Sequence, residues 1–470
     1  MTSPTPKAAG RRIWLLLVDP LPNRVFFDCG IIEGVRRALP DRLAGIFLLH
    51  PKHVQPWLPK LGDVPLIDDT ELLPVRVPPG ERVMRRTDIW LDQRIGFFPL
   101  AVRHSLRHGF HRERWQPGHP NWFLDPERAG PLPRWETLDR GMSCWHFSGH
   151  RYAPAALVER MRAECEGLVV TNLQARNSVR FLTAARRLGL PVAGYVASWD
   201  HTVGKGVVSR HLSRYIVQND TMRDDLVHYH GIDPKRIVVT GWPQTDVFHR
   251  QRSREEYEQL LGRLGVDPSK PVVLFAGNTP TNAPYEGNLV RRLVGWLAGG
   301  ANERLSIVFR PHPRESKIPE RYGAATHQQG AVLQERSYTD LEDLATLLQH
   351  VDCVVSTAGT ILLDGVVNDR PSVCVLFDEG APEGEHWAGL NLVGAHYREL
   401  AESDAFYRAH TFEELVALVE RALERPGELA AERERVAQEV VGEVDGRAAE
   451  RVIQAIVETF EQNSVRQIHE

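Results

Sequence analysis

Short, nearly uninterrupted apolar runs recur along this chain, each followed by a segment with helical spacing. "RIWLLLVDP" comes first. "GIIEGVRRALP" follows, with Ile31, Ile32, Val35 and Leu39 on one side, and then "LAGIFLLH". A strand that is apolar at every position is covered on both faces, and parallel strands need a crossover segment between them. The pattern therefore predicts βαβ units and parallel sheets. It resumes at "ALVERMRAECEGLVVTN" and runs through "VAGYVAS", "RYIVQN" and "RIVVTG". It starts afresh with "PVVLFAGN", "LSIVFRPHP", "DCVVST" and "PSVCVLF".

At 470 residues the chain exceeds one domain. Gly241 and Pro243 in "TGWPQTDVF" read as an exit from the first sheet. The expectation is an α/β protein with two Rossmann-like domains facing a cleft: 1–240, 241–440, and a C-terminal helix and tail at 441–470. Residues 81–150 break the rhythm, with prolines spread from Pro117 to Pro133, and are expected to form a helix-rich insertion in the first domain. The insertion carries five of the eleven tryptophans beside many Arg and His residues. Indole faces stack on sugar rings, and the basic groups suit anionic acceptors or lipid phosphates. The alternative is a helical cap whose tryptophans fill a small core.

Composition excludes some classes. A net charge of −4 gives no reason to expect nucleic acid. The five cysteines, Cys29, Cys144, Cys165, Cys353 and Cys374, form no Cys-x-x-Cys pair, which argues against a zinc site or a disulfide framework and for a reducing cytosol. The apolar run Ile13 to Val18 is too short for a signal peptide and ends at Asp19-Pro20. No stretch is long enough to span a membrane. A cytoplasmic location is expected, with peripheral contact at the inner membrane face left open.

Chemistry concentrates at the ends of predicted strands. In "VVSTAGTILLDG" a strand is expected to end at Val355, and a helix to begin near Thr360 or Ile361. Ser356, Thr357, Ala358, Gly359 and Thr360 would form the turn. Unsatisfied N–H groups at a helix start attract anions, and a glycine there admits a phosphate. Asp364, one turn in, would reach a ribose hydroxyl. The alternative is a plain turn with Thr360 as the helix cap. "IVFRPHPRE" brings Arg310 and His312 to a neighbouring strand end, where they would neutralise a leaving phosphate. Otherwise His312 bonds loop backbone and Arg310 pairs with Glu315. Gly277, Asn278 and Thr279 open a third polar loop, "AGNTPTNAPYEGN", which as a bland alternative is a surface turn.

These residues resemble the nucleotide-binding half of GT-B type glycosyltransferases. The resemblance is narrower toward the group that includes CDP-glycerol glycerophosphotransferases and UDP-N-acetylglucosamine 2-epimerases. It rests on "VTGWPQTDVF", "FRPHPRE", "LLQHVDCVVSTAGTILLDGVVNDRPSVCVLF" and "VDGRAAERVIQAI". "LGLPVAGYVASWDHTVGKG" resembles a Ser-Trp-Asp loop of surface-polysaccharide members. The epimerases carry Asp-Ser-Gly-Gly and a glutamate where this chain has Ser356 to Gly359 and Asp364. The glycerophosphotransferases carry a Ser-Ser pair where it has Gly359-Thr360.

The resemblance implies an enzyme that moves a glycosyl group from a nucleotide sugar to a hydroxyl of a glycan or lipid-linked acceptor. No cofactor is expected beyond that donor, and no metal. A 2-epimerase, a glycerophosphotransferase and a non-catalytic nucleotide-sugar binder are the alternatives. Transfer with inversion needs a base on the acceptor side. Asp28, in the expected loop after the first strand, and Asp200, beside His201, are the candidates. Their structural alternatives are a helix cap for Asp28 and a loop anchor for Asp200. Lys205 would bind a phosphate or the acceptor, or is a solvated surface charge. Oligomeric state is left open.

Overall fold

The computed structural model describes residues 10–48, 54–68, 72, 153–173, 176–199, 201–204, 208–228 and 230–468, apart from 281, 336, 338–339, 384, 390–391 and 393–396. The expected insertion at 81–150 lies outside the described residues. The chain divides into two compact units. One is Val247–Gly446. The other holds the described residues up to Asp246 together with the final helix, Ala448–Ile468.

The first unit is a six-stranded parallel sheet in the order β2-β1-β3-β4-β5-β6. Its strands are β1 Arg12–Leu17, β2 Leu43–Phe47, β3 Cys165–Val170, β4 Val192–Tyr195, β5 Arg214–Val217 and β6 Ile237–Val239. In β1 every residue from Ile13 to Leu17 is buried, as a strand covered on both faces requires. After β1 the chain does not loop. Asp19 accepts from the Leu21 N–H (3.0 Å), and prolines occupy the first turn of the helix Pro20–Asp28.

The final helix belongs to this unit rather than to a separate tail. The Asp246 carboxylate caps its first turn by accepting from the N–H groups of Ala448 (3.0 Å) and Ala449 (2.7 Å). Arg451 Nε donates to the Thr240 carbonyl (2.7 Å). The helix lies so close to the sheet that a Cβ on Gly167 would stand 2.4 Å from Phe460 Cε1 and 3.0 Å from the Pro191 carbonyl oxygen.

The second unit repeats the construction in the order β12-β11-β10-β7-β8-β9, all parallel. Its strands are β7 Val272–Ala276, β8 Ser306–Arg310, β9 Ala331–Leu333, β10 Cys353–Thr357, β11 Ser372–Val375 and β12 Tyr407–Ala409. Helices Glu286–Ala298 and Phe412–Glu424 bury Leu289, Leu293, Leu415 and Val419 with Phe275, Phe309 and Val355 in one core. Ser253 and Glu256 form a capping box on the entry helix Arg254–Leu264. No described helix is long and apolar enough to cross a membrane.

Gly167→Ala forces Phe460 or the Pro191 backbone to move. It is expected to destabilise the first unit by ~1–3 kcal/mol, read as a lower thermal midpoint.

Candidate functional site

Within the unit Val247–Gly446, strands β7 and β10 are hydrogen-bonded neighbours, Val355 opposite Phe275. From β7 the sheet grows toward β8 and β9; from β10 it grows toward β11 and β12. The chain therefore leaves these two carboxyl ends in opposite directions, which opens the crevice where parallel α/β sheets bind ligands. Two of the sequence-predicted loops, 277–279 and 356–360, meet at this switch point. Asn278 Nδ2 donates to Thr357 Oγ1 across it (3.3 Å), and Ser356 Oγ donates to the Ala276 carbonyl (2.8 Å).

A buried ionic cluster holds the β7 loop. The Asn278 N–H donates to Glu286 Oε2 (2.8 Å), and the Asn278 carbonyl accepts from Arg321 Nη2 (3.3 Å). Arg321 Nη1 also donates to the Ala283 carbonyl (2.7 Å). Glu286 Oε1 accepts from Arg321 Nη2 (2.8 Å) and Tyr322 Oη (2.5 Å). Glu315 Oε2 lies 2.8 Å from Arg321 Nε, so two carboxylates share one guanidinium. The Glu286 and Glu315 side chains are fully buried. Burial pushes the Glu286 carboxyl up to about 7, against the opposing pull of Arg321 and its hydrogen bonds.

The expected residues now sort by what they touch. Gly277 serves packing rather than a ligand: a Cβ there would stand 1.8 Å from Tyr322 Oη. Gly359 is the opposite case. A Cβ would meet nothing nearer than the Thr357 carbonyl oxygen at 3.4 Å, and its φ is not positive. The fold does not require glycine at 359, and its absent side chain leaves space at the crevice. Ser356 and Thr357 are the last two residues of β10 rather than members of the turn, because their backbones still pair with Cys374 and Val375 of β11. Their hydroxyls tie β10 to β7. The turn is Ala358, Gly359 and Thr360, and Thr360 makes no side-chain cap to the following helix, Ile361–Val367. Asp364 is buried in that helix, and Thr279 donates its N–H to Asn278 Oδ1 (2.8 Å).

Arg310 is buried and pairs with Asp340 (2.7 Å) and Gln334 (2.8 Å), not with Glu315. Its charge is thus matched within the protein. His312 Nδ1 accepts from the Arg314 N–H (3.0 Å), so the neutral ring carries its proton on Nε2. Asp28 ends the helix Pro20–Asp28 instead of lying in a loop, and its carboxylate pairs with Lys60. It does not cap the next helix, whose cap position is Gly30. Asp200 and Lys205 lie outside the described residues. Among the described residues nearby, His230 Nε2 meets the Thr202 carbonyl (2.7 Å) and its Nδ1 accepts from the Val208 N–H (3.2 Å). Complete burial pushes the His230 ring down to about 4.

Sequence reasoning missed Glu286, Arg321 and Tyr322, which no local pattern links to Asn278. It also missed the loop after β11. There Glu385 Oε2 accepts from Tyr285 Oη (2.6 Å) and Trp387 Nε1 (3.1 Å), while Asp378 accepts from the N–H groups of Trp387 (2.6 Å) and Ala388 (2.9 Å). "FDEGAPEGEHWAG" follows a strand run, as "AGNTPTN" does, and that was the available signal.

A family model described as CDP-Glycerol:Poly(glycerophosphate) glycerophosphotransferase matches residues 183–458, more than half of the chain. Among solved structures, S. aureus MnaA with UDP is similar over 96% of this chain and 97% of that one, at 10% identity and a TM-score of 0.51. A UDP-N-acetylglucosamine 2-epimerase candidate from Listeria monocytogenes is similar over 96% and 97%, at 12% identity and a TM-score of 0.50. These likenesses agree with the GT-B fold class of two Rossmann-like domains. No curated protein matches by sequence.

The two glycines predict opposite outcomes. Gly277→Ala is expected to lower the stability of its unit by ~2 kcal/mol or more, through collision with the Tyr322–Glu286 pair. Gly359→Ala is expected to leave the thermal midpoint within a degree or two and to weaken nucleotide binding. Thermal melts with and without nucleotide check both.

Proposed function

The chain belongs to the CDP-glycerol:poly(glycerophosphate) glycerophosphotransferase family, and on that premise we propose that it transfers a glycerophosphate-type group from a nucleoside diphosphate-linked donor to a hydroxyl of a surface polymer. The observation that carries this reading is the β7–β10 switch point, where a glycine not demanded by packing stands beside Asn278 and the Thr360 turn. The diphosphate of the donor would occupy that space. Membership in this family favours a phosphate-linked polyol over the sugar expected from sequence.

In such a transfer the acceptor hydroxyl oxygen attacks the distal phosphorus of the donor and gives up its proton to a base or to solvent. The bond between that phosphorus and the bridging oxygen breaks, and the nucleoside monophosphate leaves with the bridging oxygen. Charge grows on the leaving phosphate, so a donor aimed there lowers the barrier. His312, just beyond the end of β8, is the candidate: its Nδ1 accepts from the Arg314 N–H, which fixes the ring's orientation and its tautomer. Arg310 contributes by shaping the end of β8 through Asp340 rather than as an open cation.

Incubation with CDP-glycerol and a glycerophosphate-primed acceptor is expected to release CMP, and His312→Ala to lower turnover by about 100-fold or more while the protein stays folded. Release of a nucleoside diphosphate from a sugar nucleotide, with none of CMP from CDP-glycerol, would overturn the choice of transferred group. No stabilisation by any nucleotide at millimolar concentration would overturn the donor site itself.

A further inference from the structure

Beneath the switch point lies a carboxylate that the transfer reaction does not use. Glu286 opens the helix Glu286–Ala298, is fully buried, and reaches the site only through other groups. One of its oxygens takes the Asn278 N–H, and the other takes Tyr322 Oη and Arg321 Nη2. Arg321 in turn holds the carbonyls of Asn278 and Ala283. Both backbone polar groups of Asn278 are thus gripped by one ion pair, while its side chain spans to Thr357. Gly277 has no room for a side chain because the Tyr322 hydroxyl presses against it. The backbone at Gly277 and Asn278 is thereby held from both sides.

We propose that Glu286 is a positioning residue for the diphosphate, acting through Asn278, and that a diphosphate-linked donor binds this site with net proton uptake by Glu286. The inference rests on the donor-site reading above.

The charge count supports the proton. The groups acting on Glu286 are Arg321 and Tyr322 from the helix Ile318–Tyr322, Glu315 from the segment after β8, and the Asn278 N–H from the β7 loop. With both carboxylates ionised, this buried set carries one net negative charge; with one proton it is neutral. Burial already holds the Glu286 carboxyl near neutrality. A diphosphate arriving on the other side of Asn278 adds like charge in a low-dielectric setting, which disfavours the ionised carboxylate further.

The direction follows from linkage. Without ligand, the folded carboxyl titrates above its unfolded value of 4.5, so its contribution to stability is fully present below 4.5 and is lost as pH rises through about 7. Donor binding raises it again, so the bound state holds more protons than the free state near pH 7. Donor affinity therefore falls as pH rises through this range. A carboxylate with a merely structural role would change stability with pH but not affinity.

CDP-glycerol is the probe, because its diphosphate is esterified at both ends and does not itself titrate near neutrality. Calorimetric titrations from pH 6 to 8, in buffers of different ionisation heat, are expected to show proton uptake and a loss of affinity of about three- to tenfold. Glu286→Gln, which keeps the acceptor for Asn278, is expected to abolish both. His312→Gln is expected to bind more weakly and keep the slope. Should Glu286→Gln fail to fold, Tyr322→Phe removes one donor to the carboxylate and is expected to move the profile to higher pH. Tight binding with no proton uptake, or a slope lost in His312→Gln and kept in Glu286→Gln, overturns this inference alone. An unmoved profile in Tyr322→Phe does the same. No binding of CDP-glycerol by the wild type at any pH overturns the inference together with the donor site.

Discussion

The hydrogen bond from Asn278 to Thr357 spans the place where the second sheet changes direction. The shape of the crevice depends on it. It joins a loop and a strand end 79 residues apart, and it rests on a backbone clamped by Glu286 and Arg321. A buried ion pair is weak evidence of stability, since desolvation offsets most of the attraction. Here its consequence is geometric. The pair gives two buried backbone groups their partners and holds the crevice floor still, which a site that discriminates by shape needs.

The two units share a construction but not a chemistry. At the first unit's switch point, between β1 and β3, Thr171 Oγ1 donates to Asn23 Oδ1 (3.3 Å), a pairing like that of Thr357 and Asn278. The helix beginning there, however, is capped by the Asp19 carboxylate and opens with prolines. A carboxylate already occupies the helix start, and proline supplies no N–H, so an anion has little to gain. At the corresponding turn of the second unit, Gly359 and Thr360 precede the helix, no side chain caps it and no proline opens it, and its acidic residue, Asp364, stands further in, at the fourth helical position. The physical contrast favours the second unit as the home of a diphosphate.

Local signals in the sequence were read well where the cause was local. Continuous apolar runs marked β1, β3, β7 and β10 because parallel strands are buried on both faces. Errors arose where a residue's role is set by a distant partner. Gly277 reads as a ligand-facing glycine until Tyr322 arrives from the helix after β8. Arg310 reads as a phosphate cation until Asp340 neutralises it. Asp28 reads as a loop residue because the prolines that suit a helix's first turn also suit a loop. Ser356 reads as a turn residue because hydroxyls are common in turns, whereas here it ties β10 to the carboxyl end of β7. Glu286 was invisible, since nothing near it in the chain announces burial.

The central claim is that a diphosphate-linked donor sits at the β7–β10 switch point. Amide hydrogen exchange with and without CDP-glycerol tests it most directly, because a bound diphosphate protects the N–H groups it contacts. The account predicts slowed exchange at residues 358–361, diminished in Gly359→Ala. Unchanged exchange there under conditions where the donor binds would place the donor elsewhere and contradict it.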